Sequence, residues 1–312
     1  MNTLLCLVGE QPIANLLPIL HLNPKEVLLV YTKKKRITEI AEALQLLIEE
    51  QAIAVLKYQL SSEFSIMDTY AELVNCVKQA GIILSGINLT GGTKPMSIAA
   101  LQLAQQQNTP VFYMESSGNQ ASRLYRNEFT SGQLSCEHIE QIAEKITLNQ
   151  FIRAFGYQST QKHPNDLLEI AVHAALVAMG KFEIETGVRV DAKGKTDIDF
   201  VLRYQNQVAM AEVKRVEWDS CAECKKKVKP KPKQALEQIV TISEQRIFGT
   251  YTSRFAILHC EYSKKSNVID YEDFAAILNT TIIWLHDPHA DGVLSAADQQ
   301  RLQAGLFSAL KI

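Results

Sequence analysis

The chain has 312 residues, of which 46% are hydrophobic and 21% charged, with a net charge of −2. That length gives room for two domains, each large enough for its own core, in an ordinary globular composition. A net charge this close to zero excludes a global electrostatic field that would mark a nucleic-acid binder, so any such surface has to be local.

The N-terminal Met1 to Val8 is apolar but lacks the basic flank and cleavage site of a signal peptide. No apolar run reaches the roughly 18 residues of a spanning helix, so a cytoplasmic protein with no membrane partner is expected. From there, strand and helix patterns alternate. Strands are predicted at Thr3 to Val8, Glu26 to Tyr31, Ile53 to Tyr58, Gly81 to Ile87 and Val111 to Glu115. Helices are predicted at Ile13 to Leu20, Ile37 to Glu50, Met67 to Ala80 and Pro95 to Gln107; the second repeats Ile37, Ile40, Ala41, Leu44, Leu47 and Ile48 at helical spacing. This alternation predicts a mostly parallel, helix-covered, Rossmann-like α/β layer over residues 1–130, with its ligand site outside the carboxyl ends of the strands.

The loop Asn88-Leu-Thr-Gly-Gly-Thr-Lys-Pro95 lies at one of those ends. Its paired glycines let backbone N–H groups approach a ligand, Thr93 suits an N-cap, and a helix N-terminus beside Lys94 suits phosphate. The spacing is not that of a Walker A loop, and no GxGxxG follows the first strand. The pair Gly91-Gly92 also serves simply to end one element and begin the next.

Residues 131–164 read as a linker that includes a helical stretch from Cys136 to Ile146. A helix then runs from Asn165 to Met179, ended by Gly180, with Asp166, Glu169 and His173 on one stripe. The acids at 166 and 169 equally suit the first turns of a helix, and His173 suits a hydrogen-bonded interior position.

The stretch from Asp197 to Arg215 carries the chemistry. Two β-type runs flank a polar tip, and a turn at Gln205-Asn206 places Asp199 opposite Glu212 and Asp197 opposite Lys214. Glu212 and Lys214 share that face by alternation, so two carboxylates and an ammonium gather on one patch. Carboxylates at that separation can share Mg²⁺ or Mn²⁺, and the lysine can orient or deprotonate a water. A solvated face with one salt bridge is the plainer alternative, but Val208-Ala-Met-Ala-Glu-Val-Lys214 is too apolar for a surface strand.

Beyond the hairpin, Lys225-Lys-Lys-Val-Lys-Pro-Lys-Pro-Lys233 reads as an extended loop. Lys225, Lys226, Lys227 and Lys229 are candidates to track nucleic-acid phosphates. A helix at Gln234 to Gln245 and strands at Phe255 to His259 and Thr281 to Leu285 follow. Cys221-Ala-Glu-Cys224 lacks a second pair for zinc, and the six cysteines have no framework spacing, consistent with reduced thiols. Asp287 to Asp298 has acids at positions 1, 5 and 12 of a calcium-type loop; a turn at Asp291-Gly292 and a helix cap at Ser295 account for the same pattern.

Two resemblances gather these observations. Asp199, twelve intervening residues and Glu212-Val-Lys214 resemble the (P)D-(D/E)xK signature of restriction-endonuclease-like nucleases, as does the αβββαβ order around it. The resemblance implies metal binding by Asp199, Glu212 and the backbone of Val213, assistance from Lys214, and a fourth acid at Glu169. The N-terminal layer, with its loop after the fourth of six expected strands, resembles the CARF domain of CRISPR-associated proteins. That resemblance implies a pocket for cyclic oligoadenylate, such as cyclic tetra-adenylate, lined by Gln11, Thr32, Asn88, Thr90, Gly91, Gly92, Thr93 and Lys94. Together they imply an activator-gated homodimeric nuclease of antiviral defence, with its nuclease domain at 165–312, acting on DNA and/or RNA. Two other expectations stand beside it: a ligand-responsive regulator with an inert nuclease fold, and a restriction or repair nuclease whose Rossmann-like part is a dimerisation scaffold.

Overall fold

Short apolar runs separated by amphipathic stretches build two α/β sheets in succession. The computed structural model describes residues 1–62, 64–115, 122–143, 146–159, 163–189, 197–216, 236–237, 239–240, 252–259, 265–287 and 291–312, and the chain divides into two units, Met1–Gly156 and Tyr157–Ile312.

In the first unit β1 (Thr3–Leu7), β2 (Glu26–Tyr31), β3 (Ala54–Gln59), β4 (Leu84–Asn88) and β5 (Val111–Glu115) run parallel. They are joined by α1 (Ile13–Leu22), α2 (Lys35–Glu49), α3 (Ile66–Gln79) and α4 (Lys94–Gln107). β1 is buried along its whole length, as a central parallel strand covered on both faces must be. The apolar stripe of α2 is buried at Ile37, Ile40, Ala41, Leu44, Leu47 and Ile48, as its periodicity predicts. Ser65 caps α3 by accepting from Asp68 N at 3.2 Å, and Asn108 ends α4 in the left-handed region at φ 51°.

The strand order is β3-β2-β1-β4-β5-β6-β7. The sheet therefore has seven strands, two more than the five that the sequence pattern locates. The additions are β6 (Arg123–Thr130) and β7 (Gln133–Gln141), an antiparallel hairpin. β7 replaces the helix expected at Cys136 to Ile146. There Ile139, Ile142 and Ile146 recur at helical spacing, but Ser131 and Gly132 both take positive φ (52° and 77°), the pair a tight hairpin turn requires. Long-range pairing with β6 then outweighs the local pattern. α5 (Leu148–Ala154) follows, capped by Thr147 and tied by Arg153 to Glu50. Residues 131–154 of the expected linker are thus part of the first unit.

The second unit orders its strands β13-β12-β11-β10-β9-β8. These are β8 (Gln158–Ser159), β9 (Glu183–Arg189), β10 (Asp197–Tyr204), β11 (Gln207–Arg215), β12 (Ser253–His259) and β13 (Thr281–Leu285). α6 (Leu167–Met179) precedes β9, α7 (Lys265–Ile277) connects β12 to β13, and α8 (Ala296–Leu310) ends the chain. Sequence reading missed α7, although two parallel neighbours need a crossover. Leu168, Val172 and Leu176 of α6 pack with Phe200, Ala211 and Val213 of the sheet and Leu302 and Leu306 of α8. Among the described residues no helix is long and apolar enough to cross a membrane. The lysine run 225–233, the pair Cys221/Cys224 and most of the helix expected at Gln234 to Gln245 lie outside the described residues.

The last acid of the calcium-like loop serves the backbone, and the first accepts from the Ser295 hydroxyl. Asp298 is fully buried and accepts from His286 N at 3.1 Å and Asp287 N at 2.9 Å, while Ser295 caps α8. These N–H groups and Arg301 hold its carboxyl below the ordinary range despite the opposing effect of burial. Asp298→Ala strands those donors, so it should lower stability by about 2–4 kcal/mol in denaturant titration. An unchanged midpoint would leave the loop without its structural account.

Candidate active site and nucleotide site

The hairpin of β10 and β11 pairs Phe200 with Ala211 and Tyr204 with Gln207, around a turn in which Gln205 has φ 53°. That is the register in which Asp199 and Glu212 face each other. Alternation sends Phe200, Ala211 and Val213 into the cluster with α6, and Asp199, Glu212 and Lys214 to the opposite face. On that face Glu212 stands beside Ala256 and Lys214 beside Leu258, both members of an apolar cluster with Val216, Leu236 and Ala275. Glu212 is consequently 1% exposed.

Lys214 Nζ lies 3.3 Å from Glu212 Oε2 and 3.5 Å from Asp199 Oδ2. The other anchor of Asp199 is backbone: Val213 N donates to its Oδ2 at 2.8 Å. Burial, and then the charge of Asp199, push the Glu212 carboxyl up to about 8, with Lys214 acting in the opposite sense. Burial alone would lower Lys214, but Asp199 and Glu212 together hold it above its ordinary value. Lys214 is therefore an ammonium at neutral pH, which favours orientation and charge stabilisation over deprotonation of a water. Glu169 on α6 is raised by burial and by the charge of Asp199, so it belongs to the same electrostatic neighbourhood. Asp166 caps α6 through Leu168 N at 2.8 Å and pairs with Arg215 at 3.7 Å. His173 is half-buried and stacks on Phe200 with centroids 6.0 Å apart.

Burial keeps a proton on Glu212 beside the Asp199 carboxylate and the Lys214 ammonium, and a hard divalent cation would take the place of that proton. Asp199 and Glu212 are the side chains that fit it most closely. Among the described residues no three His, Cys, Asp or Glu side chains are gathered closely enough to hold an ion.

In the first unit the chain turns back between β1 and β4, and this switch point is where a ligand crevice opens on such sheets. The loops after both strands meet there. A Cβ on Gly91 would lie 2.1 Å from Leu7 O, one on Gly92 2.8 Å from Leu7 Cβ, and one on Gly9 2.9 Å from Gly92 N. Gly92 also needs its positive φ of 75°. The glycines thus bring backbone against backbone at the crevice floor.

Asn88 is wholly buried, donating to Ala14 O at 2.9 Å and Asn15 Oδ1 at 3.0 Å and accepting from Thr90 Oγ1 at 2.7 Å. Thr90 Oγ1 in turn accepts from Met114 N at 2.7 Å. These two side chains hold the loop, so their part in any pocket is to shape it. Thr93 caps α4, Lys94 is exposed at its first turn, and Gln11 is half-buried just before α1. Thr32 is 3% exposed, and its Oγ1 has no hydrogen-bond partner among the described residues. Sequence reading missed Asn15, a buried amide that bonds Leu7 O at 2.8 Å and locks β1 to β4 through Asn88. A polar residue amid the apolar face of α1 was its signal.

The raised Glu212 carboxyl has a sign that can be checked. Below its ordinary value of 4.5 the group is protonated both folded and unfolded and is neutral for stability. As pH rises from there to about 8, the parent loses stability because the unfolded chain ionises first. Without divalent metal, Glu212→Gln should therefore be more stable than the parent near the upper value, by on the order of a few kcal/mol, and should converge with it near the lower. Thermal unfolding in a chelator reads this; a parent that gains stability on the variant as pH rises would contradict the burial argument.

Residues 3–151 match the family described as the Card1 CARF domain. No curated protein matches the chain by sequence. Among solved structures it is similar to Can2 from Sulfobacillus thermosulfidooxidans, solved in complex with cyclic tetra-adenylate, with 12% identity over 99% of each chain and a TM-score of 0.70. It is also similar to protein VC1899 from Vibrio cholerae, at 11% identity over 99% of this chain and 98% of that one, with a TM-score of 0.68. A type III CRISPR defence DNA nuclease activated by cyclic oligoadenylate shares 15% identity over 99% of this chain and 51% of its own, with a TM-score of 0.57. At these identities the structural likeness is one of fold. The first unit thus carries the match to the Card1 CARF domain, and the chain shares its succession of two α/β units with Can2.

Proposed function

We propose that this protein is a cyclic-oligoadenylate-activated, metal-dependent nuclease of CRISPR antiviral defence that cleaves DNA and/or RNA as a homodimer. The observation that carries the reading is the convergence of Asp199, Glu212 and Lys214 on one hairpin of a chain whose first unit matches the Card1 CARF domain. The complex of Can2 with cyclic tetra-adenylate and the activated type III DNA nuclease support it at the level of fold.

Asp199 and Glu212 would hold Mg²⁺ or Mn²⁺, with the Val213 carbonyl as a further ligand by the nuclease resemblance. When bound, such an ion supplies Lewis-acid stabilisation of charge on a phosphodiester oxygen. The protein's own groups do the rest. Val213 N–H fixes the Asp199 carboxylate, and the Lys214 ammonium orients the attacking water and meets the charge that develops. The lysines at 225, 226, 227 and 229 follow the hairpin in sequence and would track substrate phosphates. In the first unit, a ring of two-fold symmetry would be shared by two sensor domains, each presenting its 88–94 loop. Activation requires that the ring bind the competent dimer geometry more tightly than the resting one. An inert, purely regulatory fold is disfavoured, because it has no use for a buried carboxyl beside an ammonium and a second carboxylate.

Asp199→Ala and Glu212→Ala should each lower cleavage of labelled nucleic acid about a thousand-fold while calorimetric binding of cyclic tetra-adenylate is unchanged. Cleavage at the parent rate by both folded variants would remove the nuclease assignment. Lys94→Ala should weaken activator binding about ten-fold or more, the effect of one charge-assisted contact, with cleavage restored at higher activator concentration. Full activity of this variant at limiting activator would take the 88–94 loop out of the pocket.

A further inference from the structure

The carboxyl edge of the first sheet extends past the switch point. β3, β2, β1 and β4 are parallel neighbours, so the loops after all four open on one edge, over about 14 Å at 4.8 Å per strand. The loop after β3 is tied at both ends. Leu60 N donates to Tyr31 O at 2.8 Å, Ser61 N donates to Glu72 Oε2 at 2.8 Å, and Ser65 caps α3. Between these ties it presents Phe64, 78% exposed, with Lys34 Nζ 5.7 Å from the ring centroid.

Lys34 and the exposed Lys33 follow Thr32, whose buried hydroxyl has no hydrogen-bond partner among the described residues. α2 starts immediately afterwards, with no side-chain cap and no acid in its first turn. An aromatic face open to solvent, an ammonium over it, and an uncapped helix N-terminus beside an unused hydroxyl offer what a nucleotide needs. The ring takes the base, and the cation and the helix end take the phosphate.

We propose that Phe64 is a stacking platform for one adenine of the cyclic oligoadenylate, with Lys34 and the first turn of α2 on the adjoining phosphate. The proposal rests on the sensor reading given above and extends its pocket past Thr32, in the loop after β2, to the loop after β3. Phe64 lies far from Asp199 in sequence and in a separate unit, so its substitution leaves the nuclease residues untouched.

The test is calorimetric titration of the full chain with cyclic tetra-adenylate, using the parent, Phe64→Ala and Phe64→Trp, alongside sedimentation of each without ligand. Phe64→Ala should bind about ten- to a hundred-fold more weakly, the range for loss of one base–aromatic stack, at unchanged oligomeric mass. Phe64→Trp should retain the affinity, and the introduced indole should be quenched on binding relative to the parent's two tryptophans. Unchanged affinity in Phe64→Ala overturns the platform while leaving the sensor reading intact. A weakening accompanied by loss of oligomeric mass also overturns it, because Phe64 would then be covered by a second copy of the chain. Failure of the parent itself to bind the ring overturns the sensor reading and the platform with it.

Discussion

Glu212 sits in a strand whose neighbours are alanine, valine and methionine, with its carboxyl shut away from water. An ionised group there has a desolvation cost that only nearby opposite charge offsets. Lys214 provides part of that charge, and Asp199 adds to the deficit. The arrangement depends on the register of β10 against β11, since a slip of one residue would turn Asp199 or Glu212 to the other face. The turn at Gln205 and the burial of Phe200, Ala211 and Val213 against α6 hold that register. The packing that stabilises the second unit is thus the same packing that concentrates negative charge on it.

The first unit prepares for the opposite charge by different means. Its crevice is made by removing side chains, where Gly9 and Gly92 meet and Gly91 lies against Leu7 O. The helices α1, α2 and α4 begin at this edge of the sheet without an acid in their first turns. The Asn15–Asn88 pair fixes the floor without charge. One unit gathers carboxylates that fit a cation, and the other presents amide dipoles and lysines that fit an anion. That complementarity suits the proposed enzyme, whose effector and substrate would both be phosphodiester chains.

Much of this was legible in the residues, for physical reasons. The alternation of 6-residue strands with a 3.6-residue period located the first five strands and four helices to within a few residues, because parallel strands and their covering helices are both written in apolar pattern. The hairpin register followed from the polar tip at Tyr204 to Gln207, and with it the meeting of Asp199 and Glu212. Reading failed where long-range pairing prevailed over a local pattern, as at Cys136 to Ile146. It failed also where a helix such as α7 is weakly amphipathic and its existence follows only from the parallel pairing of β12 with β13. Asn15 and Phe64 were passed over for a related reason. The importance of one lies in its burial and of the other in its exposure, and neither is a property of the local string.

The account's central claim is that ring binding in the first unit licenses phosphodiester cleavage by the hairpin of the second. The direct measurement is the single-turnover cleavage rate of labelled DNA and RNA by the unmodified protein, with and without cyclic tetra-adenylate, in Mg²⁺ or Mn²⁺ and in chelator. The account predicts cleavage only when ring and metal are both present. Cleavage at the same rate without the ring, or undiminished in chelator, would contradict it.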